Sequence, residues 1–587
     1  MNWNLSLIFP SHAAFEQALT DAIQKIKEWD FVPSGDLAFT KETLKDSLLK
    51  QEELSGIFGR LTTYTSFQHD LDNQDESAQA RKQQVTNAGV PYRQKTATFT
   101  NKLHLTPEET VLQWCNEDAY LATHAFDLKD SYRLKKRVLP ADQEQLLSNL
   151  SNSFAKSSEL YNALTSSDRQ HPVITPYGVP VQVTTADYQD ILHTNPDANF
   201  RKEAYQAYCN SYLGTKFSLA SIYSNLHKGR NASAKVRGYA SSLESTLDSQ
   251  AIPMSVYTSL VDTAFKNKPA IEAYHNYRKE RLGLKNYHQS DVYFPLESST
   301  LKYTYPQALE IVRQALIPLG EEYMEAFAAV TADGFVDVLP SARKRSGAYS
   351  WNVDGVGPFI LLNFTGTLND MFTLAHEIGH SIHSYLSDKH QPKATAGYTI
   401  FVAEVASTFA EYMLFDYLLK QPEFASGANR SYILSHLLTN YIATYYRQTY
   451  FAAYEKEVME LALKDIPITP STLEAKLKEL HDKLQENGVE WLPEGAALLG
   501  MIPHFYNSPF YVYQYATSFA SSSELYHRYT TGTGNAKESF LTLLKSGGND
   551  HPVALLQKAS IDLTTPALFE NVNAVFTDLV QKATERN

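Results

Sequence analysis

The segment Thr373-Leu-Ala-His376-Glu377-Ile-Gly-His380 constrains this chain more than any other, because its two histidines and its glutamate make chemical sense together only on a helix. Residues four apart on a helix lie one turn on and about 40° round the axis, so both imidazoles can point at one ion. Glu377, about 100° round from His376, would reach the outer side of that ion, the place for a bound water and a general base. The flanking residues support the helix. Thr367-Leu-Asn-Asp370 is a capping-box pattern just ahead of it, and Phe372, Ala375, Ile378 and Ile382 supply an apolar side. Gly379 costs about 1 kcal/mol relative to alanine in a helix interior, which implies a close approach by another part of the chain. The competing reading is a surface helix with two solvated histidines.

Zinc with an open catalytic position needs a third protein ligand. The zinc peptidases that take it from a histidine six residues after the second are excluded, since that position is Leu386 and residue 383 is not glycine. His383 falls on the same side as His380 and is a rival, although ligands at 376, 380 and 383 of one helix would crowd. Glu404 is the better candidate. It lies 24 residues after His380, on a second helical run over 399–419, beyond a connection containing proline and glycine. Its setting, Ile400-Phe-Val-Ala-Glu404-Val-Ala406, is strongly apolar, and a carboxylate there without a cation would suffer a heavy desolvation penalty. Glu411 and Asp370 are either partners for the imidazole N–H groups or ordinary helix-surface acids.

The rest of the chain reads as mainly helical. Its 587 residues exceed what one hydrophobic core usually serves, so two or more lobes are expected. Phe15, Leu19, Ile23, Ile26 and Trp29 form a stripe at helical spacing with Ser11 as cap. Further helices are expected over 40–72, 75–103, 107–137 and 141–165, making an antiparallel helical lobe. A short hairpin is expected near 170–187, and helices resume from about Pro196. Ser346–Asn352 and Pro358–Phe364 read as strands around an Asp-Gly turn, a small sheet beside the helix of the histidines. The strand-like run near Gly347–Tyr349 is either an ordinary sheet edge or a surface that pairs with an extended peptide.

Composition narrows the partners. Lys+Arg 52 against Asp+Glu 65 gives a net charge of −13, which argues against a nucleic-acid partner. Cys115 and Cys209 are too few for a disulfide framework, which suits a reducing compartment. The opening residues show no signal or transit peptide, so a cytoplasmic location is expected. Gly495 to Ser523 contains no charged residue, but Pro503, His504, Asn507, Pro509 and Gln514 make a membrane span a poor reading, and a buried wall is expected instead. Within it, Ser508-Pro509 reads as a helix cap followed by a first-turn proline.

The blocks GAYS (347–350), PFILLNFTGTL (358–368), TLAHEIGHSIHSYLS (373–387), FVAEVASTFAEYML (401–414) and HFYNSPFYVYQYATSFAS (504–521) resemble the successive signatures of the thimet oligopeptidase superfamily of zinc peptidases, with the oligoendopeptidase F branch nearest. The resemblance implies a mainly α, two-lobed, bowl or clam-like zincin with a deep channel, and hydrolysis of internal bonds in short unstructured oligopeptides. It implies one zinc ion held by His376, His380 and Glu404, with Glu377 as base. It also implies that His504 and Tyr513, with Tyr506 third, contact the substrate carbonyl or the transition state. Here the sequence carries Asn-Ser-Pro where the thimet-type branch has a glycine-rich loop. The expected organisation is a helical lobe over 1–195 and a zinc peptidase domain over 196–587, with the active-site helix near 370–387. The alternative function is a non-catalytic, peptide-binding helical scaffold braced by a structural zinc.

Overall fold

A computed structural model describes residues 2–29, 37–140, 143–144, 147, 156–297 and 301–585. The chain is mainly helical and falls into two compact units, each assembled from three stretches of sequence. The first unit comprises Met1–Lys136, Leu301–Leu418 and Gly532–Ala559, and the second Arg137–Thr300, Leu419–Thr531 and Ser560–Asn587.

In the first unit, the helix His12–Glu28 starts at Ser11, whose hydroxyl accepts from the Ala14 N–H at 3.2 Å. It buries Phe15, Leu19, Ala22 and Ile26, while Ile23 of the expected stripe is only half-buried. The next helix, Lys41–Leu71, has the expected extent. The expected helix over 75–103 is instead three pieces, Glu76–Ala88, Val90–Ala97 and Phe99–Leu103. Pro91 has no N–H to continue the ladder, so the chain breaks at Gly89 and restarts with proline in the first turn. The run over 107–137 breaks similarly at Asp118, an extended residue whose carboxylate caps the N–H groups of Tyr120 and Leu121. Most of 141–155 lies outside the described residues, and Lys156–Asn162 is helical.

Among the described residues, five short strands complete the secondary structure. β1 (Val173–Ile174) and β2 (Val181–Gln182) form the antiparallel hairpin expected near 170–187, in the second unit. In the first unit, β3 (Val336–Asp337), β4 (Tyr349–Val353) and β5 (Gly357–Leu361) form a sheet of order β3-β5-β4. β4 and β5 pair antiparallel, Tyr349 opposite Leu361, through a turn in which Gly355 takes φ 72°. β4 is therefore an edge strand. One sheet face meets the first helices: Val353, Phe359 and Leu361 share a core with Phe15, Phe58, Leu61, Tyr64 and Phe67. Trp3 closes this core, stacking on Phe67 at 4.3 Å and donating its indole N–H to the Ile360 carbonyl at 2.8 Å.

In the second unit the uncharged stretch expected to be a buried wall is largely buried, with Pro503, Asn507 and Ser508 exposed. Thr517, Ser518, Ser521, Ser522 and Ser523 on the helix Tyr513–Thr531 are all fully buried. No helix of the described residues is long and apolar enough to cross a membrane. The expected cap at Ser508-Pro509 is not formed, because the helix begins only at Tyr513 and the intervening residues turn through Phe510 with φ 61°. Trp3→Ala is expected to cost about 3 kcal/mol of stability through the lost ring and its hydrogen bond, read as a fall in Tm; an unchanged Tm would contradict the closing role assigned to Trp3.

Candidate metal centre

The helix Leu368–His390 carries His376, Glu377 and His380 and opens with the capping box read from the sequence. The Thr367 hydroxyl accepts from the Asp370 N–H at 3.0 Å, and the Asp370 carboxylate accepts in return from the Thr367 and Thr365 N–H groups at 3.0 and 2.8 Å. Asp370 is thus spent on the cap and makes no bond to either imidazole. The rings of His376 and His380 lie 4.8 Å apart, near perpendicular.

The helix Ile400–Leu419 crosses this one at Gly379. A Cβ on Gly379 would lie 2.7 Å from the Ser407 Cα and 2.8 Å from the Ala406 carbonyl oxygen, so only glycine permits the crossing. Glu404, one turn before Ser407, is carried onto the histidines by it. Its Oε2 stands 3.4 Å from His376 Nε2 and 3.5 Å from His380 Nε2, and accepts from the Ser407 hydroxyl at 3.0 Å. Tetrahedral zinc with bonds of about 2.0–2.2 Å separates its ligand atoms by about 3.3–3.5 Å, so the spacing suits such an ion and is longer than a good hydrogen bond. Among the described residues, His376, His380 and Glu404 form the one group of His, Cys, Asp or Glu side chains able to hold a metal.

The surroundings prepare these groups. His376 Nδ1 lies 2.7 Å from Glu411 Oε1, and since an ionised carboxylate can only accept, the proton sits on Nδ1 and the Nε2 lone pair faces the cluster. Burial works against charge on both His376 and Glu404. The neighbouring carboxylates of Glu404 and Glu411 outweigh it and raise the imidazole well above its usual range. The two imidazoles beside Glu404 hold its carboxyl well below the usual range. Glu377 is buried, and its Oε2 has no hydrogen-bond partner among the described residues. Burial pushes its carboxyl up, partly offset by the two histidines. An orphaned carboxylate oxygen beside three ligand-type side chains fits a divalent ion that carries water.

His383 stays out of the group. It is fully buried, stacks on Tyr398 at 3.6 Å and 10°, and burial pushes its imidazole down to about 3. Sequence reasoning did not single out Ser350 and Ser381, whose hydroxyls meet at 2.7 Å and tie β4 to the residue after His380. The only signal was that Ser381 follows the second histidine.

The three remaining expected residues belong to the second unit. His504 is half-buried, its ring parallel to Tyr511 at 5.8 Å and edge-on to Tyr515 at 6.0 Å, and burial pushes its imidazole below the usual range. Tyr513 is buried against Tyr257 at 5.1 Å. Tyr506 is also buried, stacked on Tyr161 at 4.2 Å, and its hydroxyl donates to the Leu219 carbonyl at 3.4 Å.

The sequence profile of Peptidase family M3 matches residues 191–574, and that of Oligopeptidase F matches residues 103–170. Oligopeptidase PepF of Bacillus subtilis (strain 168) is 32% identical over 596 residues, covering 99% of this chain and 87% of that protein. Group B oligopeptidase PepB of Streptococcus agalactiae serotype III is 30% identical, covering 98% and 95%. A putative peptidase from Chlamydophila abortus superposes with a TM-score of 0.86 at 28% identity, over 99% of this chain and 97% of its own. For oligoendopeptidase-F from Enterococcus faecium the TM-score is 0.75 at 27% identity, over 98% and 99%. The chain belongs to peptidase family M3. Within that family it stands with the oligoendopeptidases F, and it is a metalloendopeptidase.

Two substitutions test the build of the centre. Gly379→Val should force the helices apart and leave the purified protein with little metal by mass spectrometry, whereas full occupancy would show that the crossing is dispensable. Glu411→Ala should weaken metal binding by about 10–100-fold, measured by competition with a chromophoric chelator.

Proposed function

We propose that His376, His380 and Glu404 hold one zinc ion, that the fourth position is open to solvent, and that the chain hydrolyses internal bonds of short oligopeptides. The observation that carries this reading is the group of three ligand atoms with the buried Glu377 beside it, whose Oε2 has no hydrogen-bond partner among the described residues. A structural zinc takes four protein ligands, and only three such side chains gather among the described residues. The spacing and the acid–imidazole chemistry suit zinc, and the family is one of metallopeptidases.

When bound, the ion supplies Lewis acidity, polarising the scissile carbonyl and acidifying a water. Glu377 accepts the proton of the attacking water and delivers it to the leaving amine. Its burial suits the first duty, because a carboxyl whose proton affinity burial has raised is the better base. Glu411 keeps His376 in the ligating tautomer. β4, as an edge strand, offers backbone groups to an extended substrate, which favours unstructured peptides and weak side-chain preference. On the strength of the family resemblance, His504 and Tyr513 donate hydrogen bonds to the carbonyl oxygen as its charge develops. Tyr506 is the third such candidate, although its hydroxyl is already engaged by Leu219.

Glu377→Gln is expected to keep its metal and lose about 10²–10⁴-fold in kcat on an internally quenched peptide; wild-type turnover would defeat the mechanism. Mass spectrometry of products from a peptide ladder, with and without chelator, should show internal cleavage that stops when metal is removed.

A further inference from the structure

The helix Arg447–Leu463 of the second unit carries a fully buried acid, Glu455, that the proposed chemistry does not use. Its Oε1 accepts from the Phe510 N–H at 2.8 Å, and its Oε2 has no hydrogen-bond partner among the described residues. Phe510 sits at φ 61°, a left-handed conformation that glycine adopts freely and a phenylalanine adopts only when its surroundings compel it. Its ring is fully buried, edge-on to His227 at 5.9 Å. Side chain and backbone are therefore both pinned at this one residue.

The pinned turn lies between two of the residues assigned to the substrate carbonyl. On one side the Ser508 N–H closes onto the His504 carbonyl at 2.9 Å. On the other, the Tyr511 N–H bonds the Ser508 carbonyl at 3.2 Å and the Gln514 N–H bonds the Tyr511 carbonyl at 3.1 Å, leading into the helix of Tyr513. The reversal at Phe510 thus sets the path of the backbone from His504 to Tyr513. Arg230 and Tyr223 of the helix Lys216–Val236, and Tyr257 of Met254–Ala264, interact electrostatically with the carboxyl. Burial pushes the carboxyl up to about 8, against the pull of the Phe510 N–H and Arg230, so at neutral pH a neutral acceptor of the same shape can replace it.

We propose that Glu455 is a positioning residue for peptide hydrolysis: by holding the Phe510 amide it keeps the left-handed turn that presents His504 and Tyr513. The inference rests on the roles proposed for those two residues. Glu455→Met removes the acceptor and Glu455→Gln retains one. The Met variant is expected to lose about tenfold or more in kcat with KM changed by less than about threefold, while the Gln variant stays within about threefold of wild type in both. Metal content should be unchanged in both variants. Hydrogen–deuterium exchange of fragments covering 504–513 should be fast in the Met variant and slow in the Gln variant and wild type. Wild-type kcat in the Met variant, or a Gln variant as slow as Met, would overturn the proposal. If the Met variant does not fold, fast exchange of this segment in the wild-type protein overturns it and slow exchange with an intact Gln variant supports it. A wild-type protein that cleaves no peptide would instead fell the functional reading, and the exchange comparison would still report whether Glu455 holds the turn.

Discussion

The contact between Gly379 and the backbone of Ser407 is the constraint on which the cluster of His376, His380 and Glu404 depends. Two helices separated by a short connection approach there more closely than any side chain at 379 would allow. The histidines belong to one helix and Glu404 to the other, so the helix separation is also the separation of the ligands. The helical penalty of glycine is offset by what the crossing permits, a carboxylate oxygen about equally far from both Nε2 atoms. Ser407 serves twice, its Cα against the glycine and its hydroxyl on Glu404.

Three acids, Glu404 half-buried and Glu377 and Glu455 buried, show how differently a protein can compensate one kind of group. Glu404 is compensated by imidazoles and is held ionised. Glu377 lies beside the same imidazoles without a hydrogen bond to Oε2, and its proton affinity rises. Glu455 is fully buried, and its Oε1 is bonded to the N–H of a residue in an unfavourable conformation. Burial of a carboxylate is costly in each case. The partners determine whether such an acid is held ionised, rises in proton affinity or bonds the backbone.

The sequence disclosed much of this because its strongest signals are local. The capping box at Thr367, the stripe beginning at Phe15, the Asp-Gly hairpin turn and the helical register of His376 and His380 each involve residues within a few positions of one another. Gly379 was legible as a close approach, though not what approached it. Local reading failed where two local rules competed. Pro91 interrupted a pattern that periodicity alone would carry to 103, and Ser508-Pro509 has the residues of a cap without forming one, because Glu455 draws the Phe510 N–H elsewhere. The choice between Asp370 and Glu411 was equally beyond it, since both are acids on suitable helices and only their partners differ.

By itself the sequence determined that two imidazoles and a glutamate share one helix turn, that an acid lies inside an apolar helix, and that the chain is mainly helical, because these follow from the fixed geometry of the helix and the cost of burying charge. Only the tertiary structure decided which acid meets which nitrogen, that Asp370 serves the cap and Glu411 bonds His376, and that His383 stacks on Tyr398 away from the cluster of His376, His380 and Glu404. Those outcomes depend on where two helices cross. The crossing is set by contacts between residues distant in sequence, which no local pattern encodes.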